Sequence, residues 1–377
     1  MPLILDDQQE MLRDSARAFL SEKSPVSELR RLRDTHDADG FSRDLWKAFA
    51  EMGFTGVLID EAHGGLGLGH VEAGVIMGEI GRTLTASPFL ASSVLTARAL
   101  ELGGSDAQKA AWLPKIAAGE ALGALAVDER SRHSPRHIAL SAERSGNGFR
   151  LDGAKGFVVD GHVADLLVVA ARTSGMAGET DGLTLFLVDP RTGGLDVERT
   201  IMLDSHNAAR LTFGGVQVNG DAVLGEVDQG WALLEPVLDT GRVMVSAELT
   251  GVAGEAFDRT VAYLKARRQF GKAIGEFQAL QHRASILYAE IELARAAVLK
   301  ALQSLDDGSA PLLASVAKAK AGEACALAVQ EGIQMHGGIG MTDEFEMGFF
   351  MKRQRAAEEL FGDADFHADR VATLCGY

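Results

Sequence analysis

The sequence has little of several residue types, and each shortage argues against a class of protein. Only two cysteines, Cys325 and Cys375, occur in 377 residues, and neither belongs to a CxxC pair. A disulfide framework and a thiolate zinc site are therefore not expected. Lys and Arg number 37 against 53 Asp and Glu, which gives a formal net charge of −16. This balance argues against nucleic acid as a partner, because binding a polyanion needs a concentrated basic face.

Long apolar stretches and metal-binding motifs are missing as well. No window reaches the roughly 18 apolar residues that a membrane span needs, and the start of the chain has no basic flank or apolar core of a signal peptide. We therefore expect a cytoplasmic protein with no membrane partner. The ten histidines show no HExxH or other metal spacing, so no metal site is predicted. His336 opens an HGG run like that of some esterases, but the GxSxG elbow of such enzymes is absent.

The spacing of the hydrophobic residues, which make up 46% of the chain, changes twice along the sequence. From Asp6 to about Ile116 a three- and four-residue spacing predicts helices, one of them over 71–84, with a glycine-rich loop at 64–69. From about Gly123 to Leu224 short apolar runs predict strands, including 183–188, and the pair Gly214-Gly215 predicts a bulge.

From about Gly230 the helical spacing returns. It predicts long helices over 280–302, from about Val243 to Arg268, and from about Leu312 to Gln334, which together imply a bundle. Strands that are segregated between two helical blocks exclude a doubly wound nucleotide fold and favour an α+β class. The predicted domains are a helical domain over 1–120, a β domain over 121–227 and a helical bundle over 228–377.

Two segments near helix ends combine glycine with groups that bind anions. They are 267–278, RRQFGKAIGEFQ, and 334–341, QMHGGIGM. Glycine lets a ligand approach the backbone closely, and arginine offers a fork for a phosphate. Each segment taken alone is also compatible with an ordinary helix cap.

Together these segments resemble the acyl-CoA dehydrogenase family in order and separation, and the resemblance extends over nearly the whole chain. It includes LDDQQE at 5–10, MGFTG at 52–56, EAHGGLG at 61–67 and GAKGFVVDG at 153–161. In its detail the chain is similar to the small subunit of pimeloyl-CoA dehydrogenase. The family's fold is an N-terminal helical domain, a central β-barrel-like domain and a C-terminal four-helix bundle.

The resemblance implies FAD as cofactor, an acyl-CoA substrate, an electron-transfer flavoprotein as electron acceptor, and a homo- or heterotetramer in which a neighbouring subunit completes the flavin site. The residues implied to contact FAD are Leu125, Ala126, Val127, Phe157, Val158, Val159, Arg267, Phe270, Gln278, Gln334, Met335, Gly337 and Gly338. Those implied to contact the substrate are Arg242 and Phe361.

The chain departs from the family at both positions that supply the catalytic base. The family's C-terminal Glu-Gly-Thr aligns with Phe361-Gly362-Asp363, and its alternative glutamate aligns with Gly241. Asp363 lies closest in sequence to the missing glutamate and is the candidate base. The family's Thr-Glu-Pro-Gly-Ala-Gly-Ser-Asp loop is replaced by 128–135, DERSRHSP, and its Trp-Ile-Thr by 157–159, FVV.

Three hypotheses follow from this resemblance. The first is an FAD-dependent acyl-CoA dehydrogenase that forms a trans-2-enoyl thioester. The second is a base-less subunit that needs a catalytic homologue in a heteromer. The third is a flavin enzyme of this fold with other chemistry, such as monooxygenation, for which an α-proton base is dispensable.

Overall fold

The computed structural model describes residues 3–307 and 309–377 and divides them into two compact units. The helical unit contains the chain up to Asp34, His70–Thr85 and Arg242 onward, and the β unit contains Thr35–Gly69 and Ala86–Gly241. The α-helices, in chain order, are α1 Asp7–Lys23, α2 Val26–Asp34, α3 Arg43–Glu51, α4 His70–Thr83, α5 Ala97–Gly103, α6 Asp106–Ala117, α7 Gly230–Ala266, α8 Gln278–Leu302, α9 Ala310–His336, α10 Met347–Glu359 and α11 Ala364–Leu374.

The β unit is built around one mixed eight-stranded sheet. Its strands are β1 Gly123–Ala126, β2 Ser141–Ser145, β3 Gly148–Val159, β4 Leu166–Arg172, β5 Leu183–Val188, β6 Leu195–Ile201, β7 Asn207–Asn219 and β8 Val223–Leu224. They lie in the order β6-β7-β3-β2-β4-β5-β8, and β1 pairs in parallel with β4. Alternate side chains of these strands, among them Leu167, Val169 and Phe186, form the apolar core that stabilises the sheet.

The predicted strands and the predicted bulge are confirmed. Strand β5 has the predicted bounds, and Gly215 is the extra residue where the β3–β7 register shifts beside Asp152. Gly215 has a φ of 71°, which a residue with a side chain adopts only with strain, and its N–H donates to Asp152 Oδ1 over 2.8 Å. A tight backbone position and a nearby carboxylate thus explain this glycine.

The helical unit places α1, α2 and α4 with the C-terminal part of α7 and with α8 to α11. The aspartate before α1, Asp6, caps it reciprocally with Gln9, as the sequence S/T/D-x-x-E/Q predicts. Inside the unit a buried ion pair joins α7 to α10, since Arg353 Nε lies 2.6 Å from Glu248 Oε1. Helices α4, α8 and α9 confirm the predicted segments, with ends that differ by one or two residues.

The predicted start of one helix is wrong. We expect from the apolar spacing that it begins near Val243, but α7 begins at Gly230 and runs through Pro236 and Gly241. Pro236 is the seventh residue of α7, beyond the first turn, so its missing N–H leaves one helical hydrogen bond unmade at a cost of about 3 kcal/mol. Leu234, Val237 and Leu238 are fully buried, and this burial outweighs the low helix propensity of the segment.

One pair of short strands completes the description of the helical unit. Strands β9 Arg268–Gln269 and β10 Lys272–Ala273 form a hairpin between α7 and α8. Among the described residues no helix is long and apolar enough to cross a membrane, and no cluster of three metal-ligating side chains is found.

Candidate functional site

The β unit brings together the two segments that the sequence predicts to flank the flavin. Leu125 and Val127 lie at the end of β1, and β3 ends at Phe157-Val158-Val159. Ala126 and Val158 point into the apolar core of the sheet, so only their backbone is available to a ligand. Side-chain contacts to a flavin in this unit must therefore come from the neighbours of these two residues.

The second of these segments contains an irregularity of the sheet. The β3–β7 register shifts between Lys155 and Val158, and Gly156 N–H leaves the ladder to donate to the carbonyl of Asp128 over 2.8 Å. The bulge puts Phe157 at a φ of 51° with 55% of its surface exposed. Such a conformation is uncommon for a bulky residue and is found mostly at functional sites.

A buried ammonium group ties the two segments to each other. Lys155 is 1% exposed, and its Nζ donates to the carbonyl of Val127 over 2.9 Å and to Glu129 Oε1 over 2.8 Å. Burial lowers the pKa of Lys155, while the carboxylate of Glu129 opposes that shift. The position of the β3 bulge thus depends on a residue that the sequence analysis missed.

The loop that follows β1 is held by its own two carboxylates. Asp128 accepts from Ser134 N–H over 3.0 Å and lies 2.8 Å from His133 Nδ1. Glu129 accepts from the N–H groups of Ala139 and Leu140 over 2.8 and 2.9 Å. The family's glycine-rich loop is therefore replaced by one that its side chains fix.

In the helical unit the turn at the family's base position is also strained and fixed. Phe361 has a φ of 59° and Gly362 a φ of 105°, and the left-handed conformation costs about 1–2 kcal/mol for a residue with a side chain. Lys318 Nζ donates to the carbonyls of Glu358 and Gly362 over 2.7 and 2.9 Å. His367 Nε2 lies 3.1 Å from the carbonyl of Phe361.

These groups are almost inaccessible to solvent, which shapes their charge states. Burial lowers the pKa of Lys318 to about 8. Burial, followed by the charges of Arg242 and Lys318, lowers the pKa of His367 to about 2, so this imidazole is neutral at physiological pH. Its Nε2 is the donor to Phe361, and its buried Nδ1 has no hydrogen-bond partner among residues 3–307 and 309–377.

Arg242 lies beside the same turn. Its Nε is 3.5 Å from the carbonyl of Phe361, and its guanidinium carbon lies 5.8 Å from the ring centre of Phe366. It is 2% exposed. The structure therefore brings together the two predicted substrate residues, Arg242 and Phe361.

The candidate base Asp363 is the N-cap of α11. Its Oδ1 accepts from Phe366 N–H over 2.8 Å, and within the described chain no group donates to its Oδ2. The carboxylate is half-buried. One oxygen thus stabilises the helix and the other is available for a proton. Gly241, at the alternative base position, is buried inside α7 and brings no side chain.

The remaining predicted flavin residues lie on the surface of the helical unit. Phe270 forms the tip of the β9–β10 hairpin with a φ of 52° and is 91% exposed. Arg267 and Gln278, at the two ends of this segment, are exposed as well, and Arg267 has no carboxylate partner in the described part of the chain. An exposed aromatic ring on a strained turn and an unpaired guanidinium suit a ligand or a second subunit better than a fold-stabilising role.

The second predicted segment ends helix α9. Gln334, Gly337 and Gly338 are exposed, whereas Met335 is buried. His336 is buried with its ring 4.4 Å from that of Tyr263, and its Nδ1 lies 2.6 Å from the carbonyl of Gly332. Burial lowers the pKa of His336, so this histidine fixes the turn rather than supplying an acid.

The donor set fits a flavin dinucleotide. The diphosphate needs cationic or N–H donors, which Arg267 and the Gly337-Gly338 turn offer, and the aromatic ring of Phe270 offers a surface for stacking. The sequence analysis missed Lys155, Glu129, Lys318 and His367. A lysine among small and apolar residues is the only sequence signal for Lys155 and Lys318, and no such signal marks Glu129 or His367.

Comparisons with known proteins point to one family. Family models for the acyl-CoA dehydrogenase N-terminal, middle and C-terminal domains match residues 6–120, 127–216 and 228–374. The chain is 30% identical to the mitochondrial isovaleryl-CoA dehydrogenase of Pongo abelii over 94% of its own length and 85% of that protein. It is 30% identical to the caffeyl-CoA reductase-Etf complex subunit CarC of Acetobacterium woodii over 92% of each.

A solved structure is similar over the same extent. The Tcur3481-Tcur3483 steroid ACAD superposes with a TM-score of 0.88 at 30% identity and covers 98% of both chains. The predicted acyl-CoA dehydrogenase fold, with an N-terminal helical, a middle β and a C-terminal helical domain, is thus confirmed.

Proposed function

The chain belongs to the acyl-CoA dehydrogenase family, whose members are oxidoreductases acting on CH–CH donors, and we propose that it desaturates an acyl-CoA thioester with FAD as cofactor. The observation that carries this proposal is the turn Phe361-Gly362. Three buried side chains hold it although its φ angles are unfavourable. A strained turn that is held this firmly is typical of a reacting centre.

In this proposal the turn polarises the thioester. The N–H of Phe361 donates to the thioester carbonyl, as the family does at the aligned position, and the enolate-like charge that develops there is stabilised. Arg242 and His367 bind the carbonyl of Phe361 and so orient its peptide plane. Loss of the glutamate side chain leaves this backbone function intact.

The proton step is assigned to Asp363. Its free Oδ2 takes the α proton, while bound FAD supplies the acceptor for the hydride that leaves the β carbon. The substrate thereby loses one proton and one hydride and gains a carbon–carbon double bond. Electrons then pass to an electron-transfer flavoprotein, a partner that the name of the CarC relative supports.

In this proposal two sets of residues contact two different flavins. Leu125 to Val127 and Phe157 to Val159 flank the ring through side chains and backbone, and Arg267, Phe270 and Gln278 bind the dinucleotide of a neighbouring copy. The protein then acts as a homo- or heterotetramer with the proposed domains 1–120, 121–227 and 228–377.

A second function is favoured by one observation. Neither Phe361 nor Gly241 takes a proton, and a chain that lacks a base still serves as one subunit of a heteromeric dehydrogenase. The relative described as the Tcur3481-Tcur3483 steroid ACAD supports a partner of this kind. In that case Asp363 is only a helix cap, and the substrate is oxidised at a homologous subunit.

Anaerobic visible spectroscopy of the purified protein tests the two functions. We expect bound flavin to bleach when one member of a panel of short, long, dicarboxylic and steroid-type acyl-CoA thioesters is added. Flavin that is never bleached contradicts the first function and favours the second.

Substitution at the vacant base position sharpens this test. Phe361→Glu supplies a carboxylate where the family has its base. If the wild-type chain lacks a base, this variant should reduce its flavin about 10²- to 10⁴-fold faster than the wild type. Phe361→Gln is the matched control, because it has the same shape and hydrogen-bonding capacity but takes no proton. Equal rates in the two variants exclude a gain through proton transfer.

A further inference from the structure

The loop after β1 carries positive charge that no part of the catalytic proposal uses. Five of the eight residues from Arg130 to His137 are Arg or His, in a chain whose net charge is −16. Arg130, Arg132 and Arg136 are all exposed. We name these three side chains the arginine loop. The part of the family's motif that aligns with 130–135, Pro-Gly-Ala-Gly-Ser-Asp, carries no positive charge.

Five other arginines of the β unit have acceptors within the protein. Arg43, Arg150 and Arg191 pair with aspartates, and Arg172 and Arg199 donate to backbone carbonyls. None of the three side chains of the arginine loop lies within 4.0 Å of a carboxylate in the described ranges. Arg130 contacts Nε2 of His137, and the guanidinium of Arg136 lies 5.5 Å from the ring centre of Trp231.

The loop's own carboxylates do not neutralise these arginines. Asp128 is occupied by His133 and Ser134, and Glu129 by Lys155 and two backbone N–H groups. Both carboxylates therefore face inward, and the outward charge of the loop is positive.

Backbone hydrogen bonds restrain the loop in addition to these side-chain bonds. His137 N–H donates to the carbonyl of Ser134 over 2.8 Å, and Gly178 N–H donates to the carbonyl of Arg136 over 3.1 Å. The loop is thus closed at both ends before any ligand arrives. A preorganised backbone reduces the entropy that binding must overcome.

We propose that the arginine loop binds the phosphate groups of the nucleotide end of coenzyme A. The proposal rests on the function proposed above, which supplies the ligand class. Guanidinium groups match phosphate oxygens in pairs, and the nucleotide of coenzyme A carries a diphosphate and a ribose 3′-phosphate. The loop begins three residues after Val127, at the predicted flavin wall, and its exposure suits a ligand that enters and leaves.

The exposure also decides between two diphosphates. FAD stays bound through many turnovers, whereas a thioester must exchange with solvent in each one. An outward-facing set of arginines without internal partners fits the exchanging ligand. FAD as the ligand of the arginine loop is therefore a contrary outcome of the test.

Calorimetric titration of the flavin-loaded protein with coenzyme A, 3′-dephospho-coenzyme A and pantetheine tests the proposal. The variant Arg130→Ser/Arg132→Ser/Arg136→Ser should bind coenzyme A roughly 10- to 100-fold more weakly, because several charge-assisted hydrogen bonds are lost. Its affinity for pantetheine, which has no phosphate, should not change. The wild-type preference for coenzyme A over the dephospho form should shrink as well.

Two further variants serve as controls. Arg210→Ser removes an exposed arginine of the same unit that also has no carboxylate partner among the described residues, and this variant should bind coenzyme A like the wild type. Arg130→Lys/Arg132→Lys/Arg136→Lys keeps the charge and should recover part of the affinity. Unchanged affinity for coenzyme A in the triple serine variant overturns the proposal, and so does loss of FAD with unchanged affinity for coenzyme A.

The outcome is separable from that of the proposed function. Coenzyme A itself is not oxidised at carbon, so its binding does not depend on a catalytic base. Arginine-dependent binding without any flavin bleaching contradicts only the desaturation by this chain. If a thioester bleaches the flavin but binds the triple serine variant as tightly as the wild type, only the proposed role of the arginine loop is contradicted.

Discussion

Asp363 has two tasks in the proposed mechanism, and one substitution separates them. Asn is as good an N-cap as Asp, so Asp363→Asn should keep α11 and change the free energy of unfolding by no more than about 0.5 kcal/mol. An amide takes no proton, however, so the rate of flavin reduction should fall about 10²- to 10⁴-fold. Anaerobic stopped-flow absorbance measures the rate, and urea unfolding measures the stability.

Asp6→Asn is the matched control for this variant. Asp6 caps α1 as Asp363 caps α11, with its carboxylate accepting from Gln9 N–H over 2.9 Å, but no catalytic role is proposed for it. Both variants should have similar stability, and only Asp363→Asn should lose rate. An undiminished rate in Asp363→Asn removes this residue as base and leaves the heteromeric function.

Lys318 should make the stability of the protein depend on pH. Its pKa is 10.5 when unfolded and about 8 when folded, so between these values the unfolded chain binds more protons and stability rises with pH. The full rise is at most about 3.5 kcal/mol, since the two pKa values differ by about 2.5 and one pKa unit corresponds to about 1.4 kcal/mol. Urea unfolding at pH 7.5 and pH 10 measures this effect. The free energy of unfolding of Lys318→Met, relative to that of the wild type, should be lower at pH 10 than at pH 7.5.

The charged groups around Lys318 bear on that experiment. Glu358, Glu359 and Asp363 favour its charged form, while Arg242 opposes it. These four groups are present in both the wild type and Lys318→Met, so the difference between their two curves of stability against pH belongs to the lysine. If the stability of the wild type and that of Lys318→Met change in parallel from pH 7.5 to pH 10, then folding does not lower the pKa of Lys318.

Among the elements, those with a regular hydrophobic period were predictable and the contacts between them were not. Strand β5 and helix α8 follow directly from the spacing of their apolar residues. The start of α7 was missed because burial of its first turns overrides Pro236 and Gly241. The spacing of apolar residues describes one helix or strand at a time and says nothing of which other element it contacts.

The candidate site shows the same division. The segments predicted to flank the flavin, and the departure from the family at both base positions, could be read from motifs, which are local in sequence. The bond of Lys155 to Glu129 joins residues 26 positions apart, and that of Lys318 to Gly362 joins residues 44 apart. No local pattern encodes such pairs, so the groups that hold both strained turns emerged only from the fold.

The link between β1 and β3 should depend on the buried pair Lys155–Glu129. Lys155→Met leaves the Glu129 carboxylate buried without its cation and the carbonyl of Val127 without its donor, which should cost about 3 kcal/mol or more. Adding Glu129→Gln removes the uncompensated charge and should restore part of the stability. Urea unfolding of the single and double variants measures both effects.

A lysine pair that is partly accessible to solvent is the control for this element. Lys320 contacts Glu290 in the helical unit, their side chains are 28% and 33% exposed, and Lys320→Met should cost no more than about 1 kcal/mol. FAD affinity, measured by flavin fluorescence, should fall in both Lys155 variants because the bulge at Phe157 loses its support. Lys155→Met with wild-type stability and FAD affinity contradicts a positioning role for this lysine.

At the scale of the whole molecule, the net charge of −16 opposes the approach of an anionic thioester. The Debye length is about 30 Å at 0.01 M salt and about 8 Å at 0.15 M. At low salt the charge of the entire chain therefore acts on coenzyme A, whereas at physiological salt only nearby groups do. Local attraction by the arginine loop and global repulsion thus respond to salt in opposite directions.

These opposite responses predict the sign, not the size, of the change in coenzyme A affinity with salt concentration. Without the three arginines only the repulsion remains, so the triple serine variant should bind coenzyme A more tightly at 0.15 M than at 0.01 M salt, since screening removes the repulsion. The wild type should bind more weakly at the higher salt because its phosphate contacts are screened too, and Arg210→Ser should follow the wild type. Titrations at the two salt concentrations measure both slopes. Slopes of equal sign in wild type and triple variant mean that the arginine loop does not reach the phosphates.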